Sequence, residues 1–105
     1  MVKNMFLVHA HFAALGPFGF PGDTGESVHA SLSPADQVEH VSVHPTPPGG
    51  FVLGFFLLAG SLAEAEVRTE KICRRLLDEK RLPPAVLREV GVPLIIPLLP
   101  PMGPP

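Results

Sequence analysis

The sequence predicts an α+β protein, a four-stranded antiparallel sheet with both helices on one face. Three observations carry that reading. Local signals run strand, weak helix, strand, strand, strong helix, strand. The two most apolar strands are the ones such an order places at the centre. Charge is concentrated on one helix: of 18 charged side chains in 105 residues, 11 lie between Glu64 and Arg81, and none between His40 and Ala63.

Met5 to Phe12 alternates like a strand. Phe6, Val8, Ala10 and Phe12 form the core-facing set, with Met5, Leu7, His9 and His11 opposite. Leu15 to Gly25 is a loop by its glycines and prolines. Its Phe18 and Phe20 have no use in a solvated loop. Plugging the end of the core is the first role for them, and a lid over a ligand the second.

Thr24 to Leu32 reads as a weak helix after Asp23 or Thr24. Ser33-Pro34-Ala35-Asp36 places a capping serine before a proline and predicts one helical turn. Val38 to His44 is the second strand, with Glu39, Val41 and Val43 on one side and Val38, His40, Ser42 and His44 on the other. The run from Pro45 to Gly50 makes a hairpin loop. Phe51 to Leu58 is the third strand, apolar on both sides, as a central strand should be. Its core phase is open: Phe51, Leu53, Phe55 and Leu57, or Val52, Gly54, Phe56 and Leu58.

Ser61 and Glu64 form a capping box that starts the strong helix. Leu62, Ala65, Thr69, Ile72, Cys73 and Leu76 share its apolar face. Glu64–Arg68, Glu70–Arg74, Arg74–Asp78 and Arg75–Glu79 stand four apart on the outer side. Leu82-Pro83-Pro84 stops it. Pro84 to Val90 reads as a short helix or the beginning of a last strand. Val92 to Ile96 is the better strand candidate, and Pro93 makes it an edge.

This βαββαβ series is the ferredoxin-like pattern. In the order 4-1-3-2 the inner strands are Met5–Phe12 and Phe51–Leu58, and the edges are Val38–His44 and Val92–Ile96. The expected organisation is one domain over residues 1–96 and a flexible proline-rich tail over 97–105. Helices on one face leave the other sheet face open, and an apolar patch of that size marks an interface or a ligand groove.

Composition narrows the function classes. Net charge −2 gives no reason to expect a nucleic-acid partner. The longest strongly apolar run, Phe51 to Ala59, falls short of the ~20 residues of a membrane helix. His9 and His11 interrupt the apolar start, which argues against a signal peptide. A single cysteine, Cys73, excludes an internal disulfide and fits the cytoplasm. On the apolar stripe of a helix it reads as a small core hydrophobe.

The five histidines are the remaining chemistry. His9 and His11 share one strand face, as do His40 and His44, and imidazoles at that spacing do bind metals. A third strand separates the pairs by roughly 10 Å, and no acid accompanies them, so no metal site is expected. No catalytic constellation and no cofactor motif is present. His9, His11, His40, His44, Phe18 and Phe20 are the candidates for a ligand-binding or interface role.

Val38-Glu39-His40-Val41-Ser42-Val43-His44-Pro45, Gly54-Phe55-Phe56-Leu57-Leu58-Ala59, Ala65-Glu66, Cys73-Arg74-Arg75 and Val92-Pro93-Leu94 resemble a group of small uncharacterised actinobacterial α+β proteins. The similarity covers roughly residues 5 to 97 and rests on hydrophobic pattern. It implies the ferredoxin-like fold and transfers no active site. More loosely, the element order is similar to dimeric α/β-barrel proteins, which include small monooxygenases. The expected function is a homodimeric interaction or ligand-binding module that takes itself as partner, or a small apolar ligand. The alternative is a cofactor-independent, monooxygenase-like enzyme whose histidines line a pocket between sheet and helices.

Overall fold

The computed structural model describes residues 3–92. Its elements are β1 (Asn4–Ala14), α1 (Thr24–Ala30), a 3-10 turn (Pro34–Asp36), β2 (Val38–Thr46), β3 (Gly50–Ala59), α2 (Leu62–Asp78) and β4 (Ala85–Gly91). The four strands form one antiparallel sheet in the order β2-β3-β1-β4. The chain is thus α+β, with two helices beside a four-stranded sheet.

Pairing with β1 fixes the phase of β3. Val8, Ala10 and Phe12 lie opposite Phe55, Leu53 and Phe51, and all six are buried. They form the core with Leu57, Ala59 and Val41, against Ala65, Ile72, Cys73 and Leu76 of α2 and Val28 of α1. Burial of this contiguous apolar set is the main stabilising term. Leu62, expected on the buried stripe of α2, is exposed instead. It occupies the first turn, before the helix has come down onto the sheet.

Two strands depart from the expected pattern. In β2 the register shifts between Val38 and His40. The bulge at Glu39 lets Val38 pack on the core beside Leu57, so it does not share a side with His40. The last strand is Ala85–Gly91, and Val92 already lies beyond it. The earlier segment takes the role expected of Val92 to Ile96, because Leu87 and Val90 there pack on the core. Residues 93–96 and the proline-rich tail 97–105 lie outside the described residues.

Helix ends follow from their caps. Ser61 Oγ accepts the Glu64 N–H at 3.1 Å, and Glu64 Oε1 accepts the Gly60 N–H at 3.1 Å. At the C-terminus, Arg81 N–H donates to Leu76 O at 2.9 Å and Lys80 N–H to Leu77 O at 3.1 Å. Lys80 is left-handed there, at φ 58°. This is a Schellman ending with lysine in the position that favours glycine. No helix is long and apolar enough to cross a membrane, among the described residues.

Helix α1 lies against β2 because Gly25 has no side chain. A Cβ there would stand 2.7 Å from the Val41 carbonyl oxygen. His29 Nε2–H donates to Val38 O at 2.9 Å and ties the helix to the same strand.

Candidate functional site

The face of the sheet opposite the core is built as rows running across the strands. Registers place His44, Val52 and His11 in one row, with Glu89 of β4 opposite His11. The next row holds Ser42, Gly54 and His9. The third holds His40, Phe56 and Leu7. Leu58 and Met5 make the last. One end of the face is therefore polar and imidazole-rich, and the other is apolar.

Gly54 shapes the polar end. A Cβ at this central position would stand 2.5 Å from Ser42 Oγ and 3.3 Å from His9 Cδ2. The missing side chain leaves a notch, and Ser42 from β2 and His9 from β1 lean over it from both sides. His44 Nε2 and Ser42 Oγ share a hydrogen bond at 3.2 Å. The His9 and His11 rings meet edge to face, with centroids 6.2 Å apart. Val52, between His44 and His11, is only 7% exposed although it lies on the open side.

Burial lowers the pKa of His9, and the nearby charges of His11 and His44 lower it further. A proton on one imidazole works against a proton on the next. Three histidines from two non-neighbouring strands thus act on one another across β3. No group of three or more metal-ligating side chains is arranged to hold an ion, among the described residues.

At the apolar end, Met5 is 49% and Phe56 36% exposed. The His40 ring stands 6.2 Å from Phe56. Leu7 and Leu58 are half-buried between them. No Asp, Glu, Lys or Arg stands in these two rows.

The six candidate residues do not form one site. His9, His11, His40 and His44 lie on the open face, away from the helices. Phe18 and Phe20 lie at the opposite side of the sheet, tilted and edge-on to Phe51 with ring centroids 5.4 and 5.0 Å away. Phe51 in turn stacks on Phe12 at 4.7 Å. The two loop phenylalanines close the end of the core. Phe20 also borders a surface cleft of about 390 Å³ shared with Asp23, Lys80 and Arg81.

Cys73 is buried and its thiol is pushed up to about 12, chiefly by burial. A thiol so protonated is no nucleophile near neutrality. The parts that sequence patterning missed are Ser42 and Gly54. A polar residue two before His44 and a lone glycine in an otherwise bulky strand were the available signals.

No protein-family model, curated protein or solved structure matches the chain.

Proposed function

We propose that the protein is a small interaction module that joins a second copy of itself through the open face of a ferredoxin-like sheet. The observation that carries this reading is the apolar end of that face. Met5 and Phe56 are left in water there beside Leu7 and Leu58, with no charged side chain in their rows. A monomer gains nothing from that arrangement, whereas a covered face removes the patch from water.

Size favours a second copy over a small ligand. Four strands about 4.8 Å apart and some ten residues of about 3.3 Å each give a face of roughly 600 Å². Two such faces bury roughly 1,200 Å² in total, the low end of specific protein interfaces and far more than a small ligand covers. The central rows of the face carry no Asp, Glu, Lys or Arg, so two copies can meet there without repulsion between fixed charges. The sheet order β2-β3-β1-β4, with its apolar centre and shorter β4 edge, supports the ferredoxin-like assignment. The likeness to small actinobacterial α+β proteins and to dimeric α/β-barrel proteins points the same way. A single buried thiol fits a reducing compartment, the cytoplasm. The four open-face histidines point away from the helices, which favours an interface over a catalytic pocket between sheet and helices.

Sedimentation equilibrium at micromolar concentration tests this. The expected mass is twice 11.2 kDa. Phe56→Glu and Met5→Glu are expected to shift it to one chain, while Val67→Glu, on the exposed side of α2, leaves it unchanged. A wild-type chain that sediments as a monomer overturns the dimer. A mass shift or thermal stabilisation only with a small apolar compound redirects the face to ligand binding.

A further inference from the structure

The four histidines of the open face, three at its polar end and His40 beside Phe56, carry an inference that rests on the proposed dimer and concerns its regulation. We infer that acid dissociates the dimer, with the imidazoles of His9, His11, His40 and His44 as the proton-sensitive part of the interface. The four come from β1 and β2 and project to the side the second copy covers. Strand β3, between them, contributes no titratable group. From β4, Glu89 stands opposite His11 and Arg88 lies beside it in the register shift; from α2, Glu66 Oε2 would stand 3.8 Å from a Cβ at Gly91, the residue opposite His9. Glu39 stands in the bulge of β2, outside the rows. Lys3, at the start of β1, is engaged by Gln37 Oε1 at 2.6 Å. Both helices lie on the far face. Eight imidazoles from two copies therefore enter the covered layer, outnumbering the Glu89 and Glu66 carboxylates that border it.

The geometry crowds His9 and ties His44 before any partner arrives. The Gly54 notch holds His9 beside Ser42, and the Ser42–His44 hydrogen bond closes the row from the other strand. Covering this cluster removes the water that would solvate a new positive charge, so the neutral form is favoured in the dimer. The sign follows. A histidine whose pKa is lower in the dimer than in the free chain binds more protons when free. Association is then full above the free-chain pKa and is lost as pH falls through and below it. Each unit by which one imidazole is lowered changes the association constant about tenfold at acid pH.

Sedimentation equilibrium of the full chain between about pH 8 and pH 5, near and below the ordinary histidine range, tests this, with circular dichroism read at each pH. A dimer at pH 8 whose dissociation constant rises about tenfold or more by pH 5, with the fold retained, supports it. His9→Gln/His44→Gln is expected to dimerise at pH 8 and to lose most of that acid dependence. Should this double variant be unfolded at pH 8, His11→Gln/His40→Gln serves in its place, since both side chains are exposed. A dimer of equal strength at both pH values overturns the inference and leaves the dimer standing. A monomer at both overturns the dimer and the inference with it. Unfolding over the same interval, or an undiminished acid response in a folded double variant, overturns the assignment to these histidines.

Discussion

Arg75 Nη2 donates to Asp36 Oδ2 at 2.7 Å, joining residues 39 apart in sequence. The same Asp36 oxygen accepts the Ser33 N–H at 3.0 Å, while Ser33 Oγ accepts the Ala35 N–H at 3.1 Å. One carboxylate thus caps the 3-10 turn and anchors α2 to it. Arg68 adds to the joint by donating to Leu58 O at 2.6 Å and pairing with Glu64. This corner holds α2 against the start of β2 and the end of β3.

Asp36→Ala removes its half of the capping box and the pair with Arg75 together. The expected loss is about 1–3 kcal/mol in denaturant unfolding. Arg75→Met leaves the cap in place and loses less, about 1 kcal/mol or below, because Arg75 is half in solvent. Equal losses from both variants would contradict this division.

Gly25→Ala has a sign opposite to the usual one. Alanine ordinarily stabilises a helix by about 1 kcal/mol over glycine. Here the added Cβ meets the Val41 carbonyl oxygen at 2.7 Å, a backbone atom that gives way only if α1 moves. A loss of about 1–3 kcal/mol and a lower melting temperature are expected. A higher melting temperature would show that α1 does not lie where Gly25 places it.

The two-sided apolarity of β3 made it legible as a central strand, and hid its phase for the same reason. Only pairing with Val8, Ala10 and Phe12 decides that Phe51, Leu53, Phe55 and Leu57 turn inward. The bulge at Glu39 was not legible, because only Val38 precedes it in the strand and a single residue cannot show a change of phase. β4 was misplaced by spacing: Val86, Leu87 and Val90 fit a helical face as well as a strand, and Pro83-Pro84 looks like a helix start. What decided it was the edge of β1, whose residues from His9 to Ala14 pair with Ala85–Gly91. Helical spacing offered Glu79 as the partner of Arg75. It had no access to Asp36, a long-range partner that already held a cap. The four histidines were placed on one face by strand parity alone. The close seating of His9 beside Ser42 needed Gly54, whose absent side chain is visible only in three dimensions.

Cys73 responds to alkali and to thiol reagents in a defined way. The unfolded thiol ionises near 9.0, whereas burial holds the native one protonated to about 12. The native state therefore binds the extra proton between those values, and its stability falls as pH rises from about 9. In urea titrations Cys73→Ala should remove this alkaline slope while lowering overall stability through the cavity it leaves. Native protein at neutral pH should react with a disulfide reagent only at its rate of opening. Immediate reaction would contradict the buried placement.

Lys80 sits left-handed, at φ 58°, at the end of α2. Lys80→Gly relieves that conformation and is expected to stabilise the protein by about 0.5–1 kcal/mol in urea unfolding. A destabilisation of the same size would mean that the Schellman ending does not form in solution.

The open face itself is tested most directly by isotope-filtered NOE spectroscopy on an equal mixture of labelled and unlabelled chains. The account predicts intermolecular contacts from Phe56, Met5, Leu7 and Leu58 to open-face residues of the second copy. Intermolecular contacts running instead through α2, or none at concentrations where both chains are folded, would contradict it.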